Sequence, residues 1–187
     1  GVVHSTNETK MNTYIAFLRG INVSGQKKIK MADLKESMIG AGLKNVITYI
    51  QSGNVIFDSL LSEVNQIEHI INVAIKNDFD FDVPVVVKTP SEIQQILKDN
   101  PFKAESNTKG LYFTLLHQTP SAGMVMEFQQ LKFKNEDFHY ADNCVYMNCK
   151  MGAGKAKLSN NLIENKLKVG ATTRNLNTML KMIQLTQ

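Results

Sequence analysis

With 187 residues, 43% hydrophobic and 20% charged, and a net charge of +4, the chain has the composition of a globular protein able to bury a core, as one domain or two small ones. No run of about eighteen apolar residues exists, which excludes a transmembrane helix, and the opening GVVHSTNETK lacks the apolar stretch of a signal peptide. Two cysteines, Cys144 and Cys149, exclude a disulfide framework: five apart in a strand-like stretch, they point to opposite faces, so reduced thiols and a cytoplasmic setting are expected.

Residues 1–10 read as a tag remnant or disordered leader ahead of Met11, on the polar run from Ser5 to Lys10. Residues 11–90 then read as a ferredoxin-like subdomain. TYIAFL (13–18) is an apolar run suited to a buried strand. MADLKESMIGAGL follows as a helix, with Met31, Leu34 and Met38 on one face and Gly42 near its stop. VITYIQ and NVIFDS are strands joined at Ser52-Gly53, where Gly53 or Asn54 supplies the positive φ of a tight hairpin. Val64, Ile67, Ile71 and Ile75 mark a second helix, capped by Ser59 or Ser62, and VPVVVKT is the closing strand. The order β-α-β-β-α-β is the split βαβ pattern.

Residues 91–187 partly repeat it. SEIQQILKDNPF reads as a connecting helix ending near Pro101; LYFTLLHQ is a strand, SAGMVMEFQQLK a helix, and FHYAD and CVYMNCK a strand pair. The basic loop MGAGKAKL leads into two helical stretches, SNNLIENKL and TRNLNTMLKMIQL. This second α+β unit is therefore expected as β-α-β-β-α, with helix where a fourth strand would fall, and with basic C-terminal helices.

Charge is unevenly placed. Residues 11–90 carry eight basic and eight acidic side chains, whereas residues 150–187 carry seven basic ones against Glu164 alone, a surplus of +6. Such a segment fits either an anionic partner or a solvated helix face. Three motifs bear on the choice. LRGINVSGQKKIKM (18–31) spaces Gly20 and Gly25 like a P-loop, but Gln26 takes the lysine position and no Ser or Thr follows to hold magnesium. What remains is a glycine-containing loop with Arg19, Lys27, Lys28 and Lys30, able to hold an anion or to form a surface turn. QSGN (51–54) is a hairpin turn that also presents Gln51, Ser52 and Asn54 at a sheet end.

GAGKAK (152–157) sets Lys155 and Lys157 beside glycine backbone. ATTRN (171–175) is expected to open the last helix, with Thr172 or Thr173 as N-cap and Arg174 in the first turn. There the helix dipole disfavours a cation unless Arg174 grips an anion or pairs with Glu164 or another carboxylate. His4, His69, His117 and His139 are scattered, no metal-ligand spacing is present and no cofactor motif is read. The nine methionines are expected as core filler.

YIAFLRGINVSGQKKIKMADL, TYIQSGNVIF, NPF (100–102), GAGKAKL and ATTRNLNTMLKM together resemble, in that order, a bacterial family catalogued as domain of unknown function sixteen ninety-seven. Arg19, Gly20, Asn22 and Val23 match its R-G-I-N-V opening, Ser52, Gly53 and Asn54 its S-G-N hairpin, and Thr172, Arg174 and Asn175 its T-x-R-N stretch. Lys155 stands where an arginine is common and Leu176 where a tryptophan is common. The first loses bidentate geometry and the second removes a stacking surface. The resemblance implies a two-part α+β fold with ferredoxin-like topology and no particular activity.

The residues thus lead to one expectation and two alternatives. The expectation is a cleft between two α+β subdomains that binds a phosphate-bearing small molecule or nucleic acid through Arg19, Gly20, Asn22, Lys28, Ser52, Asn54, Lys155, Lys157, Arg174 and Asn175. The alternatives are a small enzyme acting on a phosphorylated or acyl substrate, for which no base stands out, and a structural or interaction module.

Overall fold

A computed structural model describes residues 10–187; most of the expected leader lies outside the described residues. The first unit runs β1 (Asn12–Leu18), α1 (Met31–Gly40), β2 (Lys44–Tyr49), β3 (Asn54–Ser59), α2 (Val64–Phe79) and β4 (Val85–Lys88). After α3 (Pro90–Lys98), the second runs β5 (Leu111–Leu116), α4 (Ala122–Gln129), β6 (Glu136–Ala141), β7 (Cys144–Cys149), α5 (Asn160–Leu167) and β8 (Ala171–Asn175), and α6 (Leu176–Leu185) ends the chain. Each unit builds a four-stranded antiparallel sheet, ordered β2-β3-β1-β4 and β6-β7-β5-β8. The protein is thus an α+β fold of two related units.

One expectation is corrected. ATTRN does not open a helix: it is β8, paired along β5 from Tyr112↔Asn175 to Leu116↔Ala171, and it completes the second β-α-β-β-α-β unit. Local signals misread it because Thr and Asn are good caps as well as strand or turn residues. The cap sits at the far end, where the Asn175 side chain accepts from the Thr178 amide. Helix α2 is likewise entered without a side-chain cap, and the Ser59 hydroxyl accepts instead from the Leu61 amide.

The continuous apolar strands follow from burial on both faces. An antiparallel sheet commonly leaves one face wet, and its strands then alternate. Here Tyr14, Ala16 and Leu18 of β1 face α1 and α2, while Ile15 and Phe17 face inward to a middle core. In β7, Cys144 and Tyr146 share that middle core, and Val145, Met147 and Cys149 face α4 and α5. The two thiols therefore lie on opposite faces, both buried and free. The middle core joins the sheets through Ile93 and Ile96 of α3 and Met179 and Met182 of α6, giving layers α/β/α/β/α. Tyr146 crosses it to donate to the Ile96 carbonyl at 2.8 Å. Among the described residues no helix is long and apolar enough to cross a membrane.

Candidate functional site

The two units meet where the β2–β3 turn of the first faces β8 of the second, and Arg174 is the centre of that junction. It lies at the end of β8 opposite Phe113, only 9% exposed, with its guanidinium 5.7 Å from the Phe17 ring centre. Its Nε donates to Asn54 Oδ1 at 2.6 Å, and its Nη2 donates to the carbonyls of Leu18 (2.6 Å), Ser52 (2.9 Å) and Gly53 (3.3 Å). Nη1 donates to its neighbour's carbonyl, Thr173 O, at 3.0 Å. Among the described residues no carboxylate forms an ion pair with it. Burial lowers its pKa to about 10, so the guanidinium stays charged at neutral pH, held by dipoles.

Asn54, fully buried at the start of β3, is the matching half: its amide donates to Tyr49 O and to Ser52 Oγ while its oxygen receives Arg174. The S-G-N turn is thus shaped to receive an arginine from the other unit. Gly53 takes φ of +85°, and a Cβ there would lie 2.7 Å from Ile21 Cδ1. Ile50, a β-branched residue, is also left-handed at φ +48° and remains 47% exposed.

Arg19 is not a free gripping group. It forms a fork with Glu164 of α5, its Nε 3.0 Å from both carboxylate oxygens and Nη2 close on Oε1, and Nη2 also reaches Asn161 Oδ1 at 2.8 Å. The carboxylate expected as a partner for Arg174 therefore serves Arg19. Glu164 also accepts from the Ala171 amide and from Asn160. Beside this pair, His117 Nε2 bonds Thr172 Oγ1 at 2.8 Å. Burial is the main cause lowering the His117 pKa to about 4.

Asn22 is committed to its own loop: its side chain donates to Ile29 O and Gln51 O and accepts from the Ile29 amide. With Gly20, Asn22, Ser24, Gly25 and Lys27 all at positive φ, LRGINVSGQKKIKM is a string of left-handed turns. Asn22 and Lys28 line a separate recess with Lys30, Asp33, Gln51 and Phe79. So Arg19, Gly20, Asn22 and Lys28 do not join the other motif residues.

Ser52, Asn54, Arg174 and Asn175 do converge. A cleft of about 350 Å³ opens at the junction, walled by Ser52 of the hairpin and by Asn160, Thr173, Arg174, Asn175 and Thr178 of the second unit. Ala153 of the GAGKAK loop forms part of its rim, and Lys155 and Lys157 of that loop are exposed. Glu136 pins the loop by accepting from the Lys157 and Leu158 amides. Ile50, Tyr112, Met147 and Leu158 make the apolar wall. The N-termini of α5 and α6, capped by Ser159 and Asn175, both border the cleft.

Several donors on this wall are unspent. The Tyr112 hydroxyl, the Asn175 amide nitrogen and the Thr178 hydroxyl have no side-chain hydrogen bond among the described residues, although Thr178 is only 4% exposed. No buried side-chain nitrogen or oxygen lacks a partner there, so these atoms open onto solvent. Ser52 Oγ accepts from Asn54, which leaves its proton free, and Arg174 Nη1 spends one of its two protons. Among the described residues no carboxylate lines the cleft. Asn54 lies behind the wall and orients Arg174.

Sequence reasoning did not identify Ile50, Tyr112, Asn160, Thr173 or Thr178. Asn160 lies within the cap-like Ser159-Asn160-Asn161 run, a signal for a helix start alone; Thr178 and Ile50 carry no local signal. Among the described residues no group of three His, Cys, Asp or Glu side chains has metal-holding geometry.

Fold and junction together define a two-unit α+β protein with a cleft between its units, apolar on one side and lined by hydrogen-bond donors on the other. The family model described as "Protein of unknown function (DUF1697)" matches residues 11–146, and the chain belongs to that family. The match ends before the GAGKAK loop and β8. The conserved bacterial protein SP0830 from Streptococcus pneumoniae is similar in structure, with a TM-score of 0.74 at 20% identity over 95% of this chain and 100% of that one. At that identity the likeness speaks to fold alone. No curated protein matches.

Proposed function

We propose that the junction cleft binds a small anionic molecule, a phosphate or carboxylate ester in size, held between residues 11–90 and 91–187 as two subdomains in a cytoplasmic setting. The observation that carries this reading is the set of unspent donors on a wall without carboxylates. Ser52, Asn175, Thr178 and Arg174 offer protons to an oxygen-rich ligand, with a buried cation and two helix N-termini on the same wall. Lys155 and Lys157, exposed on the loop whose Ala153 borders the cleft, add positive charge nearby. The volume favours a small molecule over a nucleic-acid strand, since it lies at the low end of the roughly 300–1,000 Å³ usual for ligand pockets. Arg174 and Tyr112 are the titratable side chains on the wall, which supports binding ahead of acid–base catalysis.

Titration calorimetry with ribose 5-phosphate and inorganic phosphate tests the reading. Binding is expected to weaken at least about tenfold in K155A/K157A, one lost charge-assisted contact accounting for roughly that factor, and to vanish in S52D. Melting temperatures of both variants should stay near that of the wild type. An absence of heat with either compound at millimolar concentration sinks the proposal.

A further inference from the structure

Ile50 stands out in the whole molecule as a bulky, β-branched side chain held left-handed at the lip of a cleft. A left-handed Ile is costly, by about 1–3 kcal/mol for such backbone positions, and a Gly or Asn would relieve it. The turn does not need Ile for packing, because the side chain is 47% exposed. Its neighbours across the cleft are Tyr112, half-buried with its ring on the apolar wall, and Met147. One side of the cleft is therefore apolar with an aromatic face, and the other is a set of oxygen-seeking donors.

We infer that the ligand is a nucleoside monophosphate, its base lodged between Ile50 and Tyr112 and its phosphate toward Arg174, Ser52 and the Lys155 loop. The inference rests on the anion-binding reading above and adds the class of ligand. A planar heterocycle fits a strip that offers an aromatic ring, since base–aromatic stacking is tolerant of base identity. A sugar phosphate lacking the base leaves Ile50 and Tyr112 uncovered. The strained Ile50 then has a use: it closes the lip over the base, and its strain is stored at the site where the ligand binds.

Calorimetry on the full chain with AMP, UMP, ribose 5-phosphate and inorganic phosphate separates the two claims. Both nucleotides are expected to bind at least about tenfold more tightly than ribose 5-phosphate, the factor one stacked base supplies. Ile50→Gly is expected to raise the melting temperature by about 2–4 °C while removing that preference, and Tyr112→Leu to remove it with the wall still apolar. The preference is read as the ratio of nucleotide to ribose 5-phosphate affinity within each variant, so a change in anion binding shared by all the compounds cancels. Equal affinity for nucleotides and ribose 5-phosphate, or a preference that survives both substitutions, overturns the nucleotide inference and leaves anion binding standing. Failure of all four compounds to bind overturns both.

Discussion

Arg174 shows how far one side chain's role depends on where its backbone lies. At the start of a helix its charge would oppose the dipole and call for an anion. At the end of β8 it instead reaches across the junction and satisfies three carbonyls and Asn54 of the first unit. Only a planar fork with several donors can do this. Arg174→Lys keeps the charge but replaces a planar fork by a single nitrogen, which loses the geometry that serves Asn54 Oδ1 and the Leu18 and Ser52 carbonyls at once. A loss of about 3 kcal/mol or more in denaturant unfolding is expected, in the range for breaking a buried charged network. A loss below about 1 kcal/mol would show that the clamp is dispensable.

At the scale of elements, the S-G-N hairpin and β8 are a matched pair. The turn brings Ser52 and Gly53 carbonyls to Arg174, and it does so because Gly53 at φ +85° lets the chain pass against Leu18 and Ile21. Gly53→Ala puts a Cβ 2.7 Å from Ile21 Cδ1 and 2.9 Å from Leu18 Cβ, in a conformation alanine disfavours. The expected cost is about 3 kcal/mol, measurable by urea unfolding. Gly20→Ala, at a similar φ but with nothing within 4 Å of its Cβ, should cost only about 1 kcal/mol. The hairpin itself was legible from Ser52-Gly53 between two β-rich runs. The left-handed Ile50 was not, because an isoleucine carries no local preference for that geometry, and neighbouring elements impose it.

Across the whole molecule, Arg19–Glu164 forms a second tie between the units, and His117 lies within reach of its charges. His117 sits beside Glu164, Arg19 and, further off, Lys88, and is buried in its neutral form. Its folded pKa of about 4 lies below the ordinary 6.5, so the unfolded chain binds more protons between those values. The stability from neutral His117 is complete above about pH 6.5 and is lost as pH falls toward 4. The loss is expected to be on the order of 2 kcal/mol, after allowing for partial exposure. Chemical denaturation at intervals from pH 7 to 4 should show this slope in the wild type and a flatter one in His117→Gln. Equal slopes would remove His117 from the account.

What the sequence by itself determined is the class of fold, the family, and the periodic elements: two-sided apolar strands, amphipathic helices and glycine turns are local or nearest-neighbour matters that residue type decides. It also placed Cys144 and Cys149 on opposite faces, since strand period alone requires it. What only tertiary structure decided is which polar residues are spent. Arg19 and Asn22 looked as available as Arg174 and Ser52, yet Glu164 lies 145 residues from Arg19 and Asn54 lies 120 from Arg174. Partners so distant are chosen by how two sheets and a shared middle core bring their ends together. The same packing decided that ATTRN is a strand, because β5 had an open edge to be paired, and that its last residues wall a cleft.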